Sequence, residues 1–271
     1  MSQTKESPEA TPEPAGDEVE SHKMPLIEHL LELRRRLLYS MVALGVAFIG
    51  CYVVAEQIYN FLARPLGEIF DRPMIYTGLH EFFFVQLKVA LFGAFCLAFP
   101  ILAGQLWAFI APGLYRHEKR AFLPFLFATP VLFLLGAALV YYLIIPMAWR
   151  FFLSFETTGT PGVPAVELQP KVDEYLSLVM KLILAFGVSF QLPVLLTLMA
   201  RVGLVNSAGL AAKRKYAVVV VFLVAAFLTP PDIISQIGLA LPILLLYELS
   251  ILSIRLVERR QAAEAARAAG H

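Results

Sequence analysis

Cysteine is scarce in this 271-residue chain: there are two, Cys51 and Cys96, and both sit inside apolar stretches. Two residues so placed exclude a disulfide-rich secreted scaffold and a cysteine-built metal centre. They read instead as small side chains of a core or a lipid-facing surface. Charge is scarce as well, at 16% Asp, Glu, Lys and Arg with a formal net charge of +1. Those charges are segregated along the chain rather than pooled in one basic face, which removes the footprint of a nucleic-acid binder. Catalytic motifs are missing too. The sequence contains no HExxH, no Ser/His pair within an apolar stretch and no glycine-rich phosphate loop beside a lysine. No enzyme chemistry, cofactor or metal site is expected. No internal repeat is evident either, which weakens an inverted-repeat transporter reading.

What the chain has in abundance is apolar sequence, at 59% of residues and a mean hydropathy of +0.71. A soluble protein of this composition would have too little polar surface to cover itself. Six stretches carry the excess: Leu37–Ala55, Phe82–Ala103, Phe122–Pro146, Tyr175–Ala200, Tyr216–Thr229 and Ile233–Ile254. A hydrocarbon core of about 30 Å needs roughly 20 helical residues to cross it. The fifth stretch is clearly short. The fold expected is all-α: a polytopic membrane protein with six transmembrane helices. Pro100, Pro130, Pro193 and Pro242 punctuate the spans, and their kinks together suit a concave scaffold.

The distribution of Lys and Arg predicts the topology. One set of flanks holds Lys23, Arg34, Arg35, Arg36, Arg116, Lys119, Arg120, Arg201, Lys213, Arg214, Lys215, Arg255, Arg259, Arg260 and Arg267, and the other holds Arg64, Arg72, Arg150 and Lys171. Both termini are therefore expected in the cytoplasm, with no cleavable signal peptide. Arg34-Arg35-Arg36 looks like the start of an export signal, but the apolar run behind it is too long and lacks a small-residue cleavage site. Residues 1–22, rich in Pro, Glu, Ser and Thr, are expected to be a disordered tail, residues 23–258 the membrane domain, and 259–271 a second tail. Met24–Arg36 has apolar residues near helical spacing and predicts an amphipathic helix running into the first span. Ile58, Phe61, Leu62, Leu66, Ile69 and Phe70 predict a short amphipathic helix capping the outer surface. Pro230-Pro231-Asp232 predicts a tight turn joining the last two spans as a hairpin.

Polar residues at membrane depth are costly and usually face protein or water. Glu81 and Lys88 stand at the outer end of the second span, and Asp173, Glu174 and Lys181 at the start of the fourth. Gln191 lies deeper, where a neutral amide suits a helix–helix hydrogen bond. Glu248 lies about two turns from Arg255. More unusual are Glu28, Glu32 and Glu118, acids in segments dominated by Lys and Arg. Glu32 and Arg36 are spaced for an i,i+4 salt bridge. The alternative is that acids from two segments converge on a cationic ligand, since guanidinium groups suit bidentate carboxylates.

Several segments together resemble one family. His29-Leu30-Leu31-Glu32-Leu33-Arg34-Arg35-Arg36-Leu37 resembles the N-terminal signature of the TatC family, the largest subunit of the twin-arginine protein translocase. Gln105–Tyr115 followed by Arg116-His117-Glu118 is similar to that family's first cytoplasmic loop. Ala185–Phe190 with Pro193 resembles its fourth helix, and Leu228–Asp232 with Ser235-Gln236 its last outer turn. The resemblance covers about Pro25 to Glu258, in order. It implies a receptor in the bacterial inner membrane that recognises twin-arginine signal peptides of folded precursor proteins. It also implies assembly with single-span TatA- and TatB-type partners and with further copies of itself, driven by the proton-motive force.

The family's signal-binding acids match Glu32 and Glu118, and the signal-peptide site so drawn also includes Leu30, Leu33, Arg34, Arg36 and Phe109. Gln191, Thr229 and Gln236 form the partner-docking set, with Pro65 and Asp232 holding the outer loops. Gln191 departs from the family, many of whose members carry Glu there. The rival is a six-span secondary transporter or channel, which would gather its charges at mid-membrane rather than at one surface.

Overall fold

The computed structural model describes residues 16–70, 72–110, 119–160, 162–201, 203–229 and 233–269. Helix α1 runs Gly16–Val53, uninterrupted, so the amphipathic segment and the first span are one helix and its first turns reach into the expected N-terminal tail. Next along the chain are α2 (Ala55–Gly67), α3 (Glu81–Ile110) and α4 (Lys119–Leu139). A π-helical turn at Val140–Ile144 leads into α5 (Ile145–Leu153). Then come α6 (Val172–Ser189), α7 (Leu192–Arg201), α8 (Ser207–Ala212), α9 (Arg214–Leu228) and α10 (Ile233–Ala269). Five segments are long and apolar enough to cross a membrane: 27–53, 81–109, 126–153, 172–201 and 236–260. Helix α9, at 15 residues, covers the stretch expected to be a short sixth crossing and falls below that length.

Successive spans alternate in direction, and the side-chain contacts gather the Lys/Arg-rich ends at one end of the bundle. Near that basic end α1 meets α3, with His29 stacked on Phe109 at 4.4 Å between ring centroids. The opposite end is closed by α2 and the two longer loops. There Val172 N donates to Ile75 O at 2.9 Å and Ile75 N to Pro170 O at 3.1 Å, binding one loop to the other. Arg72 reaches Glu156 at 3.1 Å, and Glu156 also accepts from Leu168 N at 2.9 Å.

Helix α2 is amphipathic as expected: Leu62 and Leu66 are buried on its inner face. Ile69 and Phe70 lie just past its end. Pro65 stands inside this helix and cannot donate to the carbonyl of Phe61 four residues back. Tyr141, on the π-helical turn of the next-but-one span, donates its hydroxyl to Phe61 O at 2.8 Å. Tyr175 of α6 donates to the neighbouring Leu62 O, also at 2.8 Å.

The interior is apolar, with Val85, Val89, Val140, Tyr175, Leu176, Phe186 and Leu239 all fully buried. Lipid is as apolar as these side chains, so close packing rather than water exclusion must hold the helices together. Glycines permit that closeness where α4 meets α6. A Cβ on Gly136 would lie 2.8 Å from the Phe186 carbonyl oxygen, and one on Gly187 would overlap the Phe133 ring. The outer faces stay apolar and exposed, most of all on α1, where Val42, Val46 and Ile49 are each more than 60% accessible.

The fourth apolar stretch is one span with the expected kink, and the kink is sharp. It breaks into α6 and α7 at Phe190 and Gln191, just before Pro193. Pro193 offers no N–H to Ser189, and its ring crowds that carbonyl. Gln191 N turns to Val188 O at 2.9 Å, a tighter bond than the α-helical one.

Candidate functional site

Glu32 lies on α1 facing the C-terminal part of α3. Its carboxylate is half-buried and is held by Arg36, which donates from both Nε (3.0 Å) and Nη2 to the same oxygen, Oε1. The remaining terminal nitrogen of Arg36 reaches Gln105 Oε1 at 3.5 Å. Gln105 is 69 residues away in sequence, and only the pairing of α1 with α3 reveals it as a neighbour. One helical turn earlier, His29 stacks on Phe109. Leu30 and Leu33 are exposed beside the carboxylate, at 63% and 41%. Arg34 is exposed, and Arg35 turns to Tyr39 at 3.4 Å. The structure thus pairs Glu32 with Arg36 and sets Phe109 a turn away, against His29. Glu118 lies outside the described residues, as does Asp232.

A second feature opens beside it. A half-open groove of about 840 Å³ lies among α3, α4, α6, α7, α9 and α10, with Phe99, Leu106, Leu195, Tyr216 and Val220 on its walls. Gln191 stands at its inner end. Its Nε2 donates to Thr129 O across to α4 at 3.0 Å and to Gly187 O at 3.3 Å, while Oε1 is enclosed and accepts from no described group. The amide therefore ties α6 to α4, and a contact with a partner helix would require that tie to open.

The α9–α10 hairpin is closed by its own groups. Thr229 donates to Ala225 O at 2.9 Å and Gln236 to Phe222 O at 3.2 Å. At the basic end Arg214 forms a two-pronged pair with Glu248, both contacts 2.7 Å. Glu248, expected only to lie about two turns from Arg255, has its partner on the adjacent helix. Glu258 accepts from Ser207 N at 2.9 Å, fixing α8 against α10. Near the opposite end Lys88 of α3 pairs with Asp173 of α6 at 2.6 Å, and Glu81 accepts from Thr77 N at 2.8 Å and Gly78 N at 3.0 Å. Those polar residues stabilise helix starts and neighbours rather than forming a mid-membrane cluster. Among the described residues no three His, Cys, Asp or Glu side chains stand close enough to hold a metal ion.

Apolar walls, charges gathered mostly towards the two ends and an acid paired among arginines define an all-helical, polytopic membrane scaffold. Comparison with known proteins makes this specific. The family model for Sec-independent protein translocase protein (TatC) matches residues 28–242. A Sec-independent protein translocase protein TatC from Magnetococcus marinus is 53% identical over 246 residues, covering 90% of this chain and 89% of that one. The Rickettsia prowazekii protein of the same name is 44% identical over 234 residues, covering 85% and 92%. A crystal structure of the twin-arginine translocase receptor TatC superimposes with a TM-score of 0.73 at 35% identity, over 84% of this chain and 98% of that one. The chain belongs to the TatC family of protein translocase components.

Proposed function

We propose that this chain is the receptor subunit of a twin-arginine translocase, and that Glu32 with Glu118 receives the paired arginines of a precursor's signal peptide. The observation that carries the reading is the Glu32–Arg36 pair. The carboxylate already holds a guanidinium through two donors, in a half-buried setting beside an exposed apolar surface. Arginine suits such a carboxylate better than lysine, because its planar fork can present two donors at once. An incoming arginine exchanges with Arg36, and the exposed Leu30 and Leu33, with Phe109 nearby, meet the apolar part of the signal. Arg36 occupies the acid until the ligand arrives, and Arg34 stands exposed on the adjoining face of α1.

The basic end faces the cytoplasm on this reading, as Lys and Arg excess on short flanks directs. Both termini lie there, in the bacterial inner membrane. The short α9 and its hairpin, with Thr229 and Gln236 near the opposite surface, form the docking place for single-span TatA- and TatB-type subunits. Gln191 contributes there once its tie to Thr129 opens. Further copies of the chain complete the receptor, and the proton-motive force drives export. Photo-crosslinkers placed at Leu30 and Leu33 test the assignment. Adducts with the arginine-bearing segment of a precursor are expected, and their absence at both positions, while the precursor still binds elsewhere, contradicts it.

A further inference from the structure

We propose that the 840 Å³ cavity is a binding site for an anionic phospholipid of the leaflet at the basic end. Three observations point to that occupant. The first is depth. On α9 the lining runs from Lys213 to Val224, eleven steps, or about 16 Å at the helical rise, which is half of a hydrocarbon core of about 30 Å. The groove therefore matches the acyl region of one leaflet.

The second is the chemistry of the walls. Below the rim they present almost wholly apolar surface, and the one amide in them is turned away: Gln191 gives its hydrogens to Thr129 O and Gly187 O and encloses its oxygen. While that tie holds, an occupant at that depth meets little beyond the Ser189 hydroxyl to bond with and needs no more. Acyl chains meet that condition.

The third is the rim. Lys213 is the one charged residue among the described residues lining the cavity, and Tyr216 stands beside it with Lys215 5.2 Å from the centre of its ring. All three are exposed. Arg214, between the lysines, is already committed to Glu248. The lysines are left for an anionic headgroup, with the tyrosine placed at interfacial depth. The same charges repel a segment that starts with basic residues, so a lipid is favoured over such a peptide.

Trp107 lines the groove, and Trp149, the other of the two tryptophans, contacts Tyr175 near the opposite end. In the full-length Trp149→Phe chain, held in nanodiscs, Trp107 reports the groove through quenching by lipids with brominated acyl chains. Brominated phosphatidylglycerol is expected to quench at a lower mole fraction than brominated phosphatidylcholine, by about fivefold for each lysine. Lys213→Gln with Lys215→Gln removes the preference, and Arg255→Gln with Arg259→Gln, farther along the same surface, keeps it. Equal quenching by the two lipids overturns the proposal, as does equal loss in both double variants, which marks general surface attraction. Protection of Trp107 by an added apolar helical peptide whatever the headgroup assigns the groove to a protein segment and also overturns it.

Discussion

Tyr141 donates its hydroxyl to the carbonyl oxygen of Phe61, the acceptor that Pro65 leaves without a backbone donor, and the two rings stack at 4.5 Å and 3°. The proline that ends regular bonding in α2 and the π-helical turn that carries Tyr141 thus answer one another across the fold. A π turn inserts one extra residue and rotates the helix beyond it, and here it aims a phenol at an otherwise orphaned oxygen.

A double-mutant cycle measures that relationship. Tyr141→Phe leaves the acceptor unmet and is expected to cost about 1–2 kcal/mol. Pro65→Ala restores an N–H four residues beyond Phe61, so Tyr141→Phe should cost less in that background. Thermal unfolding in a single detergent gives both values, and equal losses in the two backgrounds would show that the hydroxyl is not serving this carbonyl.

The close approach of α4 and α6 predicts an order of damage. Gly136→Ala places a methyl 2.8 Å from the Phe186 carbonyl oxygen, where only a backbone shift can help. Gly187→Ala meets the Phe133 ring, and a side chain can rotate. Overpacking costs about 1–3 kcal/mol, and Gly136→Ala is expected at the upper end. A fluorescence-detected melting series that finds Gly136→Ala the milder of the two contradicts the packing described.

Much of this was legible in the sequence, and the reason is periodicity. Apolar run length gave the spans, the spacing of Leu62 and Leu66 gave α2, and the brevity of Tyr216–Thr229 gave the short α9. Partners far apart in sequence were not legible. Glu248 stands two turns from Arg255 on its own helix and names no partner there, yet Arg214 approaches it from α9, and Lys88 finds Asp173 85 residues on. Pro193 announced a kink but not its sharpness, because proline allows anything from a bend to a stop and the surrounding helices decide. At the candidate site the acids stood out by contrast with their basic surroundings, whereas Gln105 carries no such contrast.

The length of α9 has a functional consequence on the proposed reading. Fifteen residues rise about 22 Å, short of the roughly 30 Å core, and a short span thins the bilayer or recruits partners. Inserting one turn of Leu and Ala before Thr229 is expected to impair export while signal-peptide binding persists. Export at the parental rate after that insertion, measured in cells, counts against a docking role for the hairpin.

Arg36 provides a sharper expectation. An i,i+4 pair on a helix is worth about 0.3–0.5 kcal/mol, so Arg36→Gln should tighten binding of a twin-arginine peptide by at least roughly twofold through loss of a resident competitor. Weaker binding would mean that Arg36 chiefly holds Glu32 in place.

The measurement closest to the central claim is the affinity of the full-length chain for a twin-arginine signal peptide, compared with Glu32→Gln and with a twin-lysine peptide of equal charge. Loss of one charge-assisted contact costs about 1.5–3 kcal/mol, a ten- to hundredfold fall in affinity. The account predicts that fall for Glu32→Gln and a clear preference for arginine in the parent that shrinks in the variant. Unchanged affinity in Glu32→Gln, with arginine and lysine peptides bound alike, would contradict it.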